Sequence, residues 1–195
     1  MATATDGTRQ GGWVNVPFPG GGTASHAALW DGSSSWLDLN PGPTYYSLIA
    51  GMAPGIQVGF AKATTSLEHA AVWRGSAGTF EDWHPPNAGY SRLTATTGEF
   101  HAGWGSVSGS AGQVALVWLG SPNNVINLQS FLPSNYFLSE ATSIWAGDGR
   151  IVVGGWAQDI NTAQKHAFMW VGVPTPGTAA ALVLGGVIFA MRRRR

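Results

Sequence analysis

The chain has 195 residues, a length that fits one domain with a sizeable core. Ten Lys and Arg balance ten Asp and Glu, but four arginines close the chain, so residues 1–191 carry six basic and ten acidic side chains, a net charge of −4. That acidic body excludes the basic footprint nucleic acid requires, and the absence of cysteine excludes disulfides and thiolate chemistry.

Only 10% of the residues are charged, against about 25% in an average soluble protein. Gly (28) and Trp (10) are both abundant, a mixture that suits a β protein with many tight turns and aromatic packing. The opening segment, Met1 to Gln10, has neither a basic nor an apolar region and does not read as a signal peptide.

Internal repetition dominates residues 7–172. The pentapeptide His26-Ala27-Ala28-Leu29-Trp30 returns as His69-Ala70-Ala71-Val72-Trp73. It returns again as Val114-Ala115-Leu116-Val117-Trp118 and as His166-Ala167-Phe168-Met169-Trp170, with spacings of 43, 45 and 52 residues. A glycine followed by an aromatic precedes each copy, at Gly12-Trp13, Gly59-Phe60, Gly103-Trp104 and Gly155-Trp156. Two marker series in phase define a repeat of 40 to 50 residues, with units at about 7–44, 45–88, 89–135 and 136–172.

The second unit predicts strands near Tyr45–Ala50, Ile56–Ala61, His69–Trp73 and Thr79–Trp83. The third predicts them near Tyr90–Ala95, Glu99–Gly105, Val114–Leu119 and Val125–Leu128. Four short strands per unit are the pattern of a propeller blade, so the expected fold is all-β, a β-propeller-like array of four-stranded repeats. The first unit is expected to lack its first strand and the last its fourth. That leaves fourteen strands, or three and a half blades, and an expectation that the chain is the C-terminal part of a longer exported protein with a secretion signal upstream.

These repeats resemble the extracellular HAF-repeat family, whose hallmark His-Ala-Phe-x-Trp is matched by His166 to Trp170. Ala28 and Ala71 depart at the Phe position and Val114 at the His.

His26, His69 and His166 share one repeat position. Equivalent positions on different blades do not converge, so a structural role is expected rather than three imidazoles on one metal ion. His84 and His101 have no partner at metal-binding spacing. Asp38, Asp82 and Asn127 share another position and are read as turn or strand-end residues bonding backbone amides. No nucleophile elbow, Walker loop or dinucleotide fingerprint is present, so no catalytic residue, metal or cofactor is assigned. Trp30, Trp73, Trp118 and Trp170, with the Trp of the Gly-aromatic pairs, are expected to pack between blades. Trp36, Trp83 and Trp145 fall outside these series and are the candidates for stacking on a surface polysaccharide.

The chain ends with Val173-Pro174-Thr175-Pro176-Gly177, an uncharged run from Thr178 to Met191, and Arg192, Arg193, Arg194 and Arg195. As a hydrophobic helix the 14-residue run extends about 21 Å, short for a hydrocarbon core of about 30 Å. The arginines would hold its end in the cytoplasm. The order of motif, apolar run and arginines resembles a PEP-CTERM sorting tail, with Thr175 in place of the family's Glu. The resemblance implies a cell-envelope protein, inserted in the membrane through residues 178–191 and processed by an exosortase. Its body, residues 1–172, would lie outside the cytoplasm, on the cell surface or released from it. The expected function is a non-enzymatic binding or matrix role. The alternatives are the C-terminal fragment of a propeller glycosidase or lyase, and a protein held by an uncut C-terminal helix.

Overall fold

The computed structural model describes residues 1–17, 22–42, 46–62, 67–110 and 112–172. These residues are all-β and form four antiparallel sheets in chain order. The first holds β1 (Ala2–Thr5), β2 (Gln10–Pro17), β3 (Thr23–Trp30) and β4 (Trp36–Asp38). The second holds β5 (Tyr46–Ala53), β6 (Ile56–Lys62), β7 (Glu68–Trp73) and β8 (Glu81–Asp82). The third holds β9 (Ala88–Thr96), β10 (Phe100–Val107), β11 (Gln113–Leu119) and β12 (Val125–Asn127). The fourth holds β13 (Tyr136–Gly147), β14 (Arg150–Asp159) and β15 (Lys165–Gly172).

The expected repeat of antiparallel sheets is present, with two corrections. The first unit does have a first strand, β1, so the described residues carry fifteen strands rather than fourteen. Fourth strands are shorter than expected: Thr79 ends a 3-10 turn before β8, and Leu128 opens one after β12. The tail residues 173–195 lie outside the described residues.

The sheets pack in chain order, first on second, second on third, third on fourth. Strand alternation explains how one pentapeptide serves two seams. In β7, Ala71 and Trp73 point back into a cluster with Leu29, Leu39 and Ile49. Ala70 and Val72 point forward into a cluster with Leu93, Leu116 and Trp118. A third cluster joins Val117 and Leu128 to Ile151, Val153, Phe168 and Trp170. The core is therefore three separate layers, one per seam.

The Gly-aromatic marker has a steric cause. A Cβ on Gly59, Gly103 or Gly155 would run into the backbone carbonyl of Leu48, Arg92 or Glu140, respectively, on the adjacent first strand. Close backbone approach, not turn geometry, demands glycine here.

Candidate functional site: the polar seams and the aromatic rim

Each fourth strand ends early and leaves the third strand's edge open beyond it. A buried serine from the next sheet fills the gap. The hydroxyl oxygens of Ser47, Ser91 and Ser139 accept the backbone N–H groups of Ala27 (3.0 Å), Ala70 (3.0 Å) and Ala115 (2.9 Å), respectively. The sequence offered one signal for these serines: they recur in phase with the His-Ala markers. It was masked because serine in a strand ordinarily faces water.

Beside each serine sits the shared acidic position. Asp38, Asp82 and Asn127 accept the backbone N–H two residues on, at 2.8, 2.9 and 2.9 Å, as expected of strand-end turn residues. In the first two sheets the second carboxylate oxygen also binds a histidine. His26 Nδ1 donates to Asp38, and His69 Nδ1 to Asp82, both at 2.8 Å. The structure thus pairs two of the three repeated histidines within their own sheets. His166 has instead the ring of Tyr136 against it, 5.7 Å between centroids.

In these two sheets the residue two after the aspartate closes the network. Asn40 donates to His26 Nε2 (3.3 Å) and accepts the Ser47 hydroxyl (2.8 Å). In the second sheet this residue is His84, stacked on His69 at 3.8 Å and 8°. Its Nε2 lies 2.9 Å from the Ala88 carbonyl, which only accepts, so that nitrogen carries the hydrogen and Nδ1 accepts the Ser91 hydroxyl at 2.8 Å. Burial, then the neighbouring His69, holds the His84 pKa below its ordinary value. His101 is almost wholly buried, edge-on to Trp83, with Nδ1 2.7 Å from the Thr96 hydroxyl. Burial, aided by the charge of Arg74, pushes its pKa down to about 4. Among the described residues no group of three His, Asp or Glu is placed to hold a metal ion.

The tryptophans divide differently from expectation. Trp73, Trp118 and Trp170 are buried in the seams. Trp30 is only half-buried, because no described sheet covers the leading face of the first sheet. Trp13, Trp104 and Trp156 are also half-buried, and around the last two cations cover aromatic faces. The Arg92 guanidinium lies 4.1 Å from the Phe60 ring centre and 5.0 Å from that of Trp104, and Lys165 lies 3.4 Å from that of Trp156. Glu68 joins this rim, accepting from Arg92 Nε and from the Tyr46 hydroxyl, both at 2.5 Å. Burial, then Glu68, pushes the Tyr46 pKa up to about 12. Burial alone would raise the Glu68 pKa, but Arg92, Tyr46 and Lys62 outweigh it and hold it low. Sequence reasoning missed this cluster, because Arg92 and Glu68 lie 24 residues apart with no motif between them.

Of the three candidates for sugar stacking, Trp83 is buried and cannot serve. It occupies the position of Leu39 and Leu128, and its carbonyl accepts the Trp118 indole N–H at 3.0 Å. Trp145 is 52% exposed on β13. Trp36 pairs with Trp30 across the β3–β4 ladder, and the two line a cleft of about 340 Å³ with Arg9, Asp31, Ser35 and Leu37. Val173 to Gly177, expected to act in sorting, and Arg192 to Arg195 lie outside the described residues. No described helix is long and apolar enough to cross a membrane. In comparisons with known proteins, no family model, curated protein or solved structure matches the chain.

Proposed function

We propose that this chain is an exported, non-enzymatic repeat protein of the bacterial cell envelope. Its four sheets are successive blades of a propeller-like array of HAF type. Residues 178–191 insert in the membrane, Arg192 to Arg195 stay inside, and an exosortase-type enzyme reads Val173 to Gly177. The body then serves as a binding or matrix module outside the cytoplasm.

The observation that carries the reading for the body is the use of His26, His69, Asp38 and Asp82. Each is spent on the same sheet-closing hydrogen bonds in consecutive repeats. Side chains at equivalent positions of a repeat, bonded to one another, support scaffolding rather than one unique reaction centre. For the tail, the order of motif, apolar run and arginines carries it.

Intact mass spectrometry of the mature protein, from the native host with and without its exosortase, tests the sorting. Loss of the segment after about Pro176 only when the enzyme is present is the expected result. An uncut C-terminus in both strains would mean that the tail is a permanent anchor.

The Trp30–Trp36 cleft favours a polysaccharide as the bound matrix component. Two indoles beside Arg9 and Asp31 offer stacking faces together with hydrogen-bonding groups. Trp36→Ala is expected to reduce retention on the host's extracellular polysaccharide, while Trp145→Ala leaves it unchanged. Equal retention of all three proteins would remove the cleft from consideration.

A further inference from the structure

A groove of about 290 Å³ opens between the second and third sheets, each of which packs against a neighbour on both faces. Lys62, Leu67 and Glu68 form one wall, where β6 ends and β7 begins. Tyr90, Trp104 and Gln113 form the other, on β9, β10 and β11. The groove shares no residue with the Trp30–Trp36 cleft, so either can fail as a site without the other.

The side chains that repeat are spent on closing the sheets, and the groove is built partly from those that vary. Two residues after the Gly-aromatic marker's aromatic stand Asn15, Lys62, Ser106 and Gln158 in successive sheets. Just before the His-Ala position stand Ser25, Glu68, Gln113 and Lys165. By these positions only the second seam sets a lysine against a Tyr–Trp pair. The neighbouring seams close without that combination, so scaffolding does not require it.

The polar groups of the groove divide into committed and open ones. Lys62 and Glu68 stand opposite each other in the β6–β7 ladder, a register that suits a cross-strand ion pair. The carboxylate turns away instead. Its oxygens accept from the Tyr46 hydroxyl and from Arg92 Nε, each at 2.5 Å. The Lys62 ammonium, 5.8 Å from the Tyr46 ring centre, has no ion pair or hydrogen bond among the described residues. Gln113 donates through Nε2 to Glu140 at 3.1 Å, which leaves its Oε1 as an open acceptor. Tyr90 stands edge-on to Trp104, with ring centres 5.6 Å apart at 79°, and its hydroxyl has no partner among the described residues.

These open groups fit a ligand with one negative charge, an apolar face and a polar edge. The volume lies at the small end of ligand pockets, which run from roughly 300 to 1,000 Å³. A flat aromatic acid would meet the lysine and the aromatic wall but leave Gln113 Oε1 and the Tyr90 hydroxyl unmatched. A sugar ring carries hydroxyls around an apolar C–H face and matches all four.

We propose that this groove binds a uronate residue of an acidic polysaccharide. The sugar carboxylate meets Lys62, the C–H face of the ring lies on Trp104, and its hydroxyls reach Gln113 Oε1 and the Tyr90 hydroxyl.

The test titrates the full chain, in detergent, with tetragalacturonate, its methyl ester and phenylacetate. Saturable binding of tetragalacturonate is expected, with a Kd of about 1 mM or tighter. Backbone amide chemical-shift changes should centre on Lys62, Glu68 and Gln113. The uncharged ester should bind about fivefold more weakly, the worth of a solvent-facing ion pair. Lys62→Gln should abolish that preference for the acid, and Trp104→Ala should weaken acid and ester alike by about tenfold. Lys62 is half-buried at the surface, so its variant keeps the test open even if Trp104→Ala does not fold. Equal binding of acid and ester by the parent would overturn the proposal, as would an undiminished preference in Lys62→Gln. Shifts centred on Trp36 instead of Lys62, or no saturation by about 10 mM, would do the same. Phenylacetate bound as tightly as the tetrasaccharide would replace the sugar with an aromatic acid and overturn the assignment.

Discussion

Ser91 illustrates how much rests on one small side chain. Its oxygen accepts from Ala70 and its hydrogen goes to His84, so both of its roles join the second sheet to the third. Ser91→Ala leaves a buried N–H and a half-buried imidazole nitrogen without partners and should cost about 2 kcal/mol, read from urea denaturation. Gly103→Ala should be worse, since its Cβ meets a backbone carbonyl that cannot step aside. Gly78→Ala, at a site with open space, should stay within about 0.5 kcal/mol of the parent. His101 sets an acid limit. Its folded pKa, about 4, lies below the ordinary 6.5, so the unfolded chain binds the extra proton between those values. Stability from this group is complete above pH 6.5 and falls away as pH drops toward 4, by roughly 3 kcal/mol in all. Melting temperatures measured from pH 7 to 4 should fall, and less steeply in His101→Gln. Carboxylates such as Asp6, held at about 2 chiefly by the Arg9 backbone N–H and by Thr8, release their contribution only at lower pH.

Elements show why some of this was legible and some was not. Strands two and three of each repeat announce themselves through Gly-aromatic and His-Ala-x-x-Trp, because steric contact and layer packing demand those residues. β1 escaped notice because Ala-Thr-Ala-Thr carries no large apolar residue or turn signal. The tie it makes depends on a bulge invisible in sequence. Thr3, passed over in the β1–β2 register, donates to Ile49 O at 2.6 Å in the next sheet. Thr94, at the same place in β9, donates to Ala141 O at 2.7 Å. Bulges aim such residues out of their own ladder. Thr94→Val should therefore cost about 1 kcal/mol by denaturation, although the residue bonds nothing essential within β9. The short fourth strands were overextended for a related reason. Leu39, Trp83 and Leu128 look like strand residues but lie beyond the ladder, turned over the layer below. The Trp83 substitution at a Leu position also hid that it belongs to the series.

At the scale of the molecule, the three apolar layers of the described residues share no member, and the main contacts between sheets run between neighbours in the chain. Stability is then close to a sum of seam terms. Amide exchange should be graded accordingly, slowest in β6 and β10, which lie inside sheets packed on both faces, and fastest along β15. Uniform protection across all four sheets would show a single cooperative unit instead. The serine-to-alanine bond carries a further implication, because it has a giver and a receiver. Every joint presents an amide on one side and an oxygen on the other, never the same surface twice. Two such bodies cannot join face to face about a two-fold axis through this joint. Sheets joined by this bond can only follow one another in the same sense, as the four described here do.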